Sequence, residues 1–383
     1  MIPSLKTLHG DCRDVLRRVP DGSVHCCVTS PPYWGLRSYL PKDHPDKSRE
    51  IGQEKTPEQF VATMVEVFRE VRRCLHDSGT LWLNLGDSYA SDSKGSGGPS
   101  AKQLSNAGSR YETVKLQHGM KPKDLCGIPW RVVLALQADG WYWRSCIVWH
   151  KKSCMPESVT DRPTNSWEPI FLLAKRATYF YDAEAVKEPS ECDHESGNGF
   201  DGRQGTADYQ GRRGGLGSTK SWKPGGTRNQ RNVWSLGPEP YSEAHFATFP
   251  TEIPRRAILA GTSARGCCPK CLTPWERVVE TTGEGGNNPK NSSVPPGAKN
   301  PMAGERLGGG AYQAQSRTLG WQPGCECNAG EPIPCTVLDT FGGSGTTGMV
   351  ALELGRNATL CELNDGYLPL IQKRTHVTPG FTF

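Results

Sequence analysis

No apolar run in this chain approaches the roughly 20 residues that a bilayer-spanning helix requires. The N-terminus likewise lacks the charged, apolar and small-residue zones of a secretory signal. Together these two absences predict a soluble protein that stays in the cytoplasm and touches no membrane. The excess of one charge sign is also small. A net charge of +5 over 383 residues permits nucleic-acid binding without demanding it. Cysteine is not scarce, at 15 residues, yet most stand singly in apolar segments (Cys26, Cys27, Cys146, Cys361). That placement excludes a disulfide framework and reads as small buried hydrophobes of a reducing compartment. Only the set from Cys267 to Cys327 has ligand-like spacing. Glycine and proline are plentiful, at 44 and 30, and concentrate between Ser190 and Gly330, where long loops are expected.

Outside that region, and again at Ile253–Ala260 within it, the pattern alternates. Short apolar runs at Leu5–His9, Val24–Val28, Thr80–Leu85, Trp141–Trp149, Ile170–Ala174, Thr336–Asp339 and Asn357–Cys361 read as strands. Helices are predicted over Cys12–Val19, from Glu58 through Leu75, and over Pro129–Ala138, Ile253–Ala260, Met349–Leu354 and Gly366–Arg374. The second carries Phe60, Met64, Val67, Phe68 and Val71 at helical spacing behind Thr56-Pro57. Thr178–Tyr181 is a possible further strand. Alternation of this kind predicts an α/β fold with a mostly parallel sheet covered on both faces. Ser91–Lys121 reads as a flexible loop, and Thr281–Gly320, low in apolar residues, as disordered.

Two stretches carry chemistry. The first, Thr29-Ser30-Pro31-Pro32-Tyr33-Trp34, ends a buried strand in two prolines. Each proline fixes its own φ, holds the residue before it extended and lacks a backbone donor. The result is a stiff loop with free carbonyls, the Ser30 hydroxyl and aromatic faces at Tyr33 and Trp34, able to hold a flat amino-bearing ring. A proline turn closing a core strand is the plainer reading of this stretch alone. The second stretch, Asp339 to Gly348, is a glycine-rich turn between a strand and a helix, where backbone amides can receive a small anionic group. Glu362 ends the next strand about twenty residues on, where a carboxylate can grip ribose hydroxyls. No Lys-Ser/Thr closes the turn, so it is not a P-loop. Gly343, Gly345 and Gly348 keep dinucleotide spacing, but no second domain offers a hydride-transfer site.

Joined, the two stretches resemble the β group of S-adenosyl-L-methionine-dependent DNA amino-methyltransferases, of restriction-modification type. The resemblance rests on Thr29–Tyr33 and on Leu338 to Gly348. Gly79–Asp87, Val148–Lys151, Pro156, Asp161–Pro163 and His245–Pro250 extend it in the same order. Thr340 departs from the proline usual there. The resemblance implies a Rossmann-like methyltransferase fold in circularly permuted order. Ser30, Pro31, Pro32 and Tyr33 would hold a base flipped out of double-stranded DNA. Asp339, Phe341, Gly342, Gly343, Ser344, Gly345 and Thr346 would hold the methionine part of the cofactor. Glu362 would take the ribose and Asp11 the adenine edge, although Asp11 alone reads as a helix N-cap. Serine before Pro-Pro-Tyr leans towards cytosine N4, with adenine N6 as the alternative. A cognate restriction endonuclease is a possible partner, in a bacterial, archaeal or phage-infected cell.

The expected organisation is a core half at 1–183, a target-recognition insertion at 184–243 and a core return at 244–265. A cysteine-rich insertion at 266–330 and a cofactor-binding half at 331–383 complete it. The first insertion carries Arg203, Arg212, Arg213, Lys220, Lys223, Arg228 and Arg231, suited to phosphates and guanine edges, or else to a solvated loop. In the second, Cys268-Pro-Lys-Cys271 has the spacing of a structural zinc knuckle, with Cys325 and Cys327 as the other pair and Cys267 as a neighbouring alternative. Two rival functions stand beside this one: a protein or RNA amino-methyltransferase, against which the basic stretch and the permuted order argue, and a zinc-dependent DNA-binding module built on an inactive methyltransferase core, against which the intact Ser30–Tyr33 and Asp339–Glu362 sets argue.

Overall fold

The computed structural model describes residues 2–36, 38–41, 43–90, 120–154, 156–189, 227–237, 239, 249–282 and 315–376. The expectations placed on 91–119, on the basic stretch 190–226, on His245–Thr248 and on 283–314 lie outside them. Among the described residues, twelve strands follow in chain order: β1 (Leu5–His9), β2 (Val24–Thr29), β3 (Leu75–Asn84), β4 (Tyr142–Lys151), β5 (Trp167–Ala174), β6 (Glu188–Pro189), β7 (Thr227–Arg228), β8 (Val233–Leu236), β9 (Glu276–Thr282), β10 (Gln315–Gln322), β11 (Thr336–Asp339) and β12 (Asn357–Glu362). The α-helices are α1 (Cys12–Val15), α2 (Pro57–Cys74), α3 (Ile128–Ala138), α4 (Glu252–Gly261), α5 (Thr346–Glu353) and α6 (Leu368–Thr375).

Eight strands form one sheet in the order β1-β12-β11-β2-β3-β5-β4-β8. Neighbours run parallel except at β3–β5 and β5–β4, so β5 alone is reversed. The two C-terminal strands slot between β1 and β2, which brings the ends of the chain together. Every residue of β2 is buried, as a central parallel strand covered on both faces requires. Its neighbouring cysteines show the two layers. Cys27 packs with the buried residues of α1, α2 and α3, whereas the Cys26 thiol points at the Ala257 carbonyl of α4, 3.7 Å away. Helix α2 starts where its sequence predicts: the Thr56 hydroxyl accepts from the Gln59 amide at 3.2 Å and Pro57 opens the first turn.

Some expectations shift. The Cys12–Val19 helix is a single α-turn followed by a 3-10 turn at Leu16–Arg18. Thr178–Tyr181 is no strand, because β5 already has β3 and β4 as neighbours; the Phe180 amide donates to the Ser78 carbonyl instead, at 2.9 Å. Helix α5 begins at Thr346 rather than Met349. Trp34 offers no face to a ligand. It is buried in the core, and its indole N–H donates to the Glu54 carbonyl at 2.9 Å.

The chain divides into two units, one of Met1–Ala185, Arg231–Glu276 and Trp321–Phe383, the other of Val186–Gln230 and Arg277–Gly320. In the second, β6 pairs antiparallel with β7, where Arg228 Nε donates to Glu188 Oε1 at 2.8 Å.

Candidate active site

Parallel strands end on one side of a sheet, and ligands bind in the crevice outside their carboxyl ends. Here Asp11 after β1, Ser30 after β2, Asn84 at the end of β3, Asp339 of β11 and Glu362 of β12 line one cavity of about 410 Å³. Pro31, Pro32, Tyr33, Phe341, Gly342, Gly343, Ser344 and Thr346 line it as well. The two motifs, some three hundred residues apart in sequence, therefore face a common space. Gly345 lies beneath it as the N-cap of α5, at φ 82°, a left-handed conformation that favours glycine. A wider groove of about 1100 Å³ shares none of these residues; of its four arginines, Arg69, Arg73 and Arg176 are paired with Asp139, Asp21 and Asp77, and Arg72 donates to the Gly140 carbonyl at 3.2 Å.

At one end of the cavity a directed hydrogen-bond network holds the Ser30–Tyr33 loop. Ser30 Oγ donates to Asn84 Oδ1 at 3.4 Å, leaving its lone pairs open to accept. Tyr33 Oη lies 2.7 Å from Glu168 Oε2 and 3.1 Å from Asn84 Oδ1. The Asn84 amide nitrogen donates to the Pro169 carbonyl at 3.2 Å, which fixes which way the side chain points. Lys151 pairs with the other oxygen of Glu168, and its ammonium sits 4.9 Å from the Trp149 ring centroid. Burial and the Glu168 charge push the Tyr33 phenol well above its ordinary pKa, so it stays protonated. Gly86 is required beside it: a Cβ there would stand 2.2 Å from the Tyr33 ring.

At the other end lie two buried carboxylates. Asp339 accepts from Thr29 Oγ1 and Thr347 Oγ1, each at 2.7 Å, and from the Phe341 amide at 3.0 Å. The Thr340 hydroxyl joins this cluster, 3.1 Å from Thr29 Oγ1. Burial pushes Asp339 up to about 6 against those three donors. Glu362 accepts from the Gly343 amide at 2.7 Å and the Asn364 amide at 2.8 Å. Burial outweighs them and pushes it up to about 7. Ser344 Oγ accepts from Arg374 at 2.7 Å. Asp11 does cap α1, accepting from the Arg13 amide at 2.9 Å. The same carboxylate also lines the cavity, paired with Arg13 and, at 3.1 Å, with Arg49.

Asn84 falls within Gly79–Asp87, and Trp149 and Lys151 within Val148–Lys151, stretches that carry the resemblance but assign these residues no role; Glu168 lies outside them. Only the polar Asn84 in an otherwise apolar run, and Glu168 before Pro169, hint at them. Of the outlying motif His245–Pro250, Phe249 reaches the cavity. Cys268, Cys271, Cys325 and Cys327 lie elsewhere, with their sulfur atoms all within 4.8 Å of one another.

Comparison with known proteins adds lineage to this geometry. The sequence pattern of the DNA methylase family matches residues 24–268 and 335–373. The type II methyltransferase M.Cfr9I of Citrobacter freundii is 45% identical over 254 residues, 66% of this chain and 71% of that protein. The type II methyltransferase M.SmaI of Serratia marcescens is 34% identical over 371 residues, 97% of this chain and 90% of that one. Among solved structures, the cytosine-N4-specific PvuII DNA methyltransferase superposes with a TM-score of 0.53 at 13% identity, covering 100% of this chain and 89% of that one. At that identity the likeness is one of fold.

Proposed function

Since the chain belongs to the DNA methylase family of amino-methyltransferases, we propose that it methylates the exocyclic amino group of a base flipped out of duplex DNA, cytosine N4 in preference to adenine N6. The observation that carries this reading is the shared cavity, with Ser30 and Tyr33 at one end and the glycine-rich turn and Glu362 at the other.

The cavity suits S-adenosyl-L-methionine. Its volume, about 410 Å³, lies within the usual range for small-molecule sites. Its lining includes Gly342, Gly343, Ser344 and Thr346 of the glycine-rich turn and a carboxylate at the tip of β12. Bound there, the cofactor supplies an electrophilic methyl group on a sulfonium. Glu362 would accept from the ribose hydroxyls, Asp11 from the adenine edge, and the Phe341–Thr346 turn would hold the methionine part, with Asp339 fixing that turn.

The exocyclic nitrogen is a poor nucleophile because its lone pair is delocalised into the ring. Ser30 Oγ and the Pro31 carbonyl would accept hydrogen bonds from its two N–H groups, favouring a pyramidal nitrogen and stabilising the positive charge that develops on it; as the N–C bond forms the sulfonium S–C bond breaks, and one amino proton leaves to water. Asn84 keeps the Ser30 hydroxyl proton turned away, so that Ser30 meets the amine as an acceptor. Tyr33 supplies a stacking face, steadied by Glu168. No thiolate is needed. Burial pushes both cysteines at the cavity, Cys12 and Cys361, well above the ordinary thiol range.

Radiolabelled methyl transfer to duplex DNA, followed by nucleoside analysis, tests the reading. N4-methylcytosine is the expected product, lost in Ser30→Ala and Tyr33→Ala while cofactor binding survives. N6-methyladenine would replace the choice of base, and full turnover in either variant would remove the assigned roles. A restriction endonuclease of the same specificity is the proposed partner of this activity.

A further inference from the structure

Cys268 and Cys271 sit on a tight turn, and Cys325 and Cys327 on a second one that comes to meet it. Each turn has a left-handed residue directly after its last cysteine, Leu272 at φ 62° and Asn328 at φ 46°. The first is closed by the Leu272 amide donating to the Cys268 carbonyl at 2.9 Å, with the Cys268 amide on the Thr273 carbonyl at 2.9 Å. Inside it the Lys270 amide points at Cys268 Sγ, 3.4 Å away, a donor suited to a thiolate. The two turns are packed, not merely near. A Cβ on Gly324 would stand 2.4 Å from the Pro274 carbonyl. All four sulfur atoms fall within 4.8 Å of one another. A zinc ion with Zn–S bonds of about 2.3 Å sets its tetrahedral sulfurs about 3.8 Å apart, so a small inward movement closes the set.

A second group, His25, Cys267 and Cys335, is equally close but chemically spent. His25 uses both ring nitrogens, Nε2 on the Leu272 carbonyl at 2.8 Å and Nδ1 on the Thr336 amide at 3.0 Å. Cys267 Sγ turns towards the Ile333 carbonyl at 3.6 Å.

We infer that Cys268, Cys271, Cys325 and Cys327 form a four-thiolate structural site for zinc, which ties together the two ends of the segment 268–327, and that Cys267 takes no part. Four protein ligands leave no open position, so the ion performs no chemistry on a substrate. This inference is independent of the methyl-transfer reading.

The test uses the full chain, purified under reducing conditions. Elemental analysis is expected to find one zinc per chain, released as an organomercurial titrates four thiols. Cobalt exchanged into the wild-type protein is expected to give thiolate charge-transfer bands and tetrahedral d–d bands, a readout that needs no variant. Cys325→Ser with Cys327→Ser is expected to lose the metal, and Cys267→Ser to keep it. Absence of zinc from reduced protein would overturn the inference. So would an octahedral cobalt spectrum, or metal lost from Cys267→Ser and retained in the double variant.

Discussion

At Glu362 two backbone amides, from Gly343 and Asn364, hold a carboxylate that burial drives towards its neutral form, up to about 7. Ribose hydroxyls need acceptors, and only the ionised form offers both oxygens for that purpose. Cofactor affinity is therefore expected to rise about tenfold per pH unit on the acid side of pKa about 7 and to level off above it. Glu362→Gln should bind weakly with no such slope. Isothermal titration across this range checks it, and a wild-type Kd that ignores pH would take Glu362 out of the ribose contact. Gly86 makes a sharper demand, since the alanine Cβ would stand 2.2 Å from a ring carbon of Tyr33. That ring is pinned through its hydroxyl at Glu168 and Asn84, so it must tilt rather than slide. Displacement by about 1 Å at a positioning group typically costs about 100-fold in rate. Gly86→Ala is expected to lose about that much in kcat with cofactor Kd unchanged, and near-normal single-turnover rates would contradict it.

Among the elements, Asp339 is the joint of the site. It ties the tip of β2 through Thr29, its own strand β11, and the first turn of α5 through Thr347. Burial lifts this carboxyl to about 6, above the ordinary 3.8, so it binds its proton more tightly folded than unfolded. The stability it contributes is thus complete below about pH 4 and is lost as pH rises through about 6. The loss is on the order of 3 kcal/mol, at about 1.4 kcal/mol per tenfold in proton affinity. Urea unfolding at stepped pH should show that decline, superposed on a similar one from Glu362, and Asp339→Asn should lack its share. A wild-type chain that grows more stable over this range would contradict it. The strands around this joint are legible in sequence because parallel strands buried on both faces read as continuous apolar runs, as Val24–Thr29 does. The Asn84–Glu168–Lys151 network is not legible, because it depends on β5 lying between β3 and β4. Strand order leaves no local mark. Trp34 is misread for a related reason: a Pro-Pro loop fixes stiffness but not which aromatic turns inward.

On the scale of the whole core unit, sheet polarity separates two sites. The cavity lies at the carboxyl ends of the parallel strands, while the first cysteine turn docks at their amino ends, where β2 begins. His25 is one contact between that turn and the sheet. It is 2% exposed and bridges the Leu272 carbonyl to the Thr336 amide at the start of β11. Its ring also stacks on His76, centroids 5.9 Å apart and planes within 15°. Phenylalanine would keep the stacking but leave a part-buried carbonyl and a part-buried amide without their partner. A fully buried orphaned group costs about 1–3 kcal/mol, and these two are part-buried, so His25→Phe is expected to lose about 2 kcal/mol or more in urea unfolding. The Thr336 amide should exchange its hydrogen faster as well. Because the proposed methyl-transfer site lies at the far end of the strands, methyl-transfer kcat in the folded fraction should stay close to wild type. His25→Gln, which can donate and accept, should recover part of the stability. If His25→Phe were as stable as wild type, the His25 bridge would not be what seats the cysteine turn on the sheet. If it instead abolished turnover while remaining folded, the two ends of the sheet would be coupled in a way that this separation does not allow.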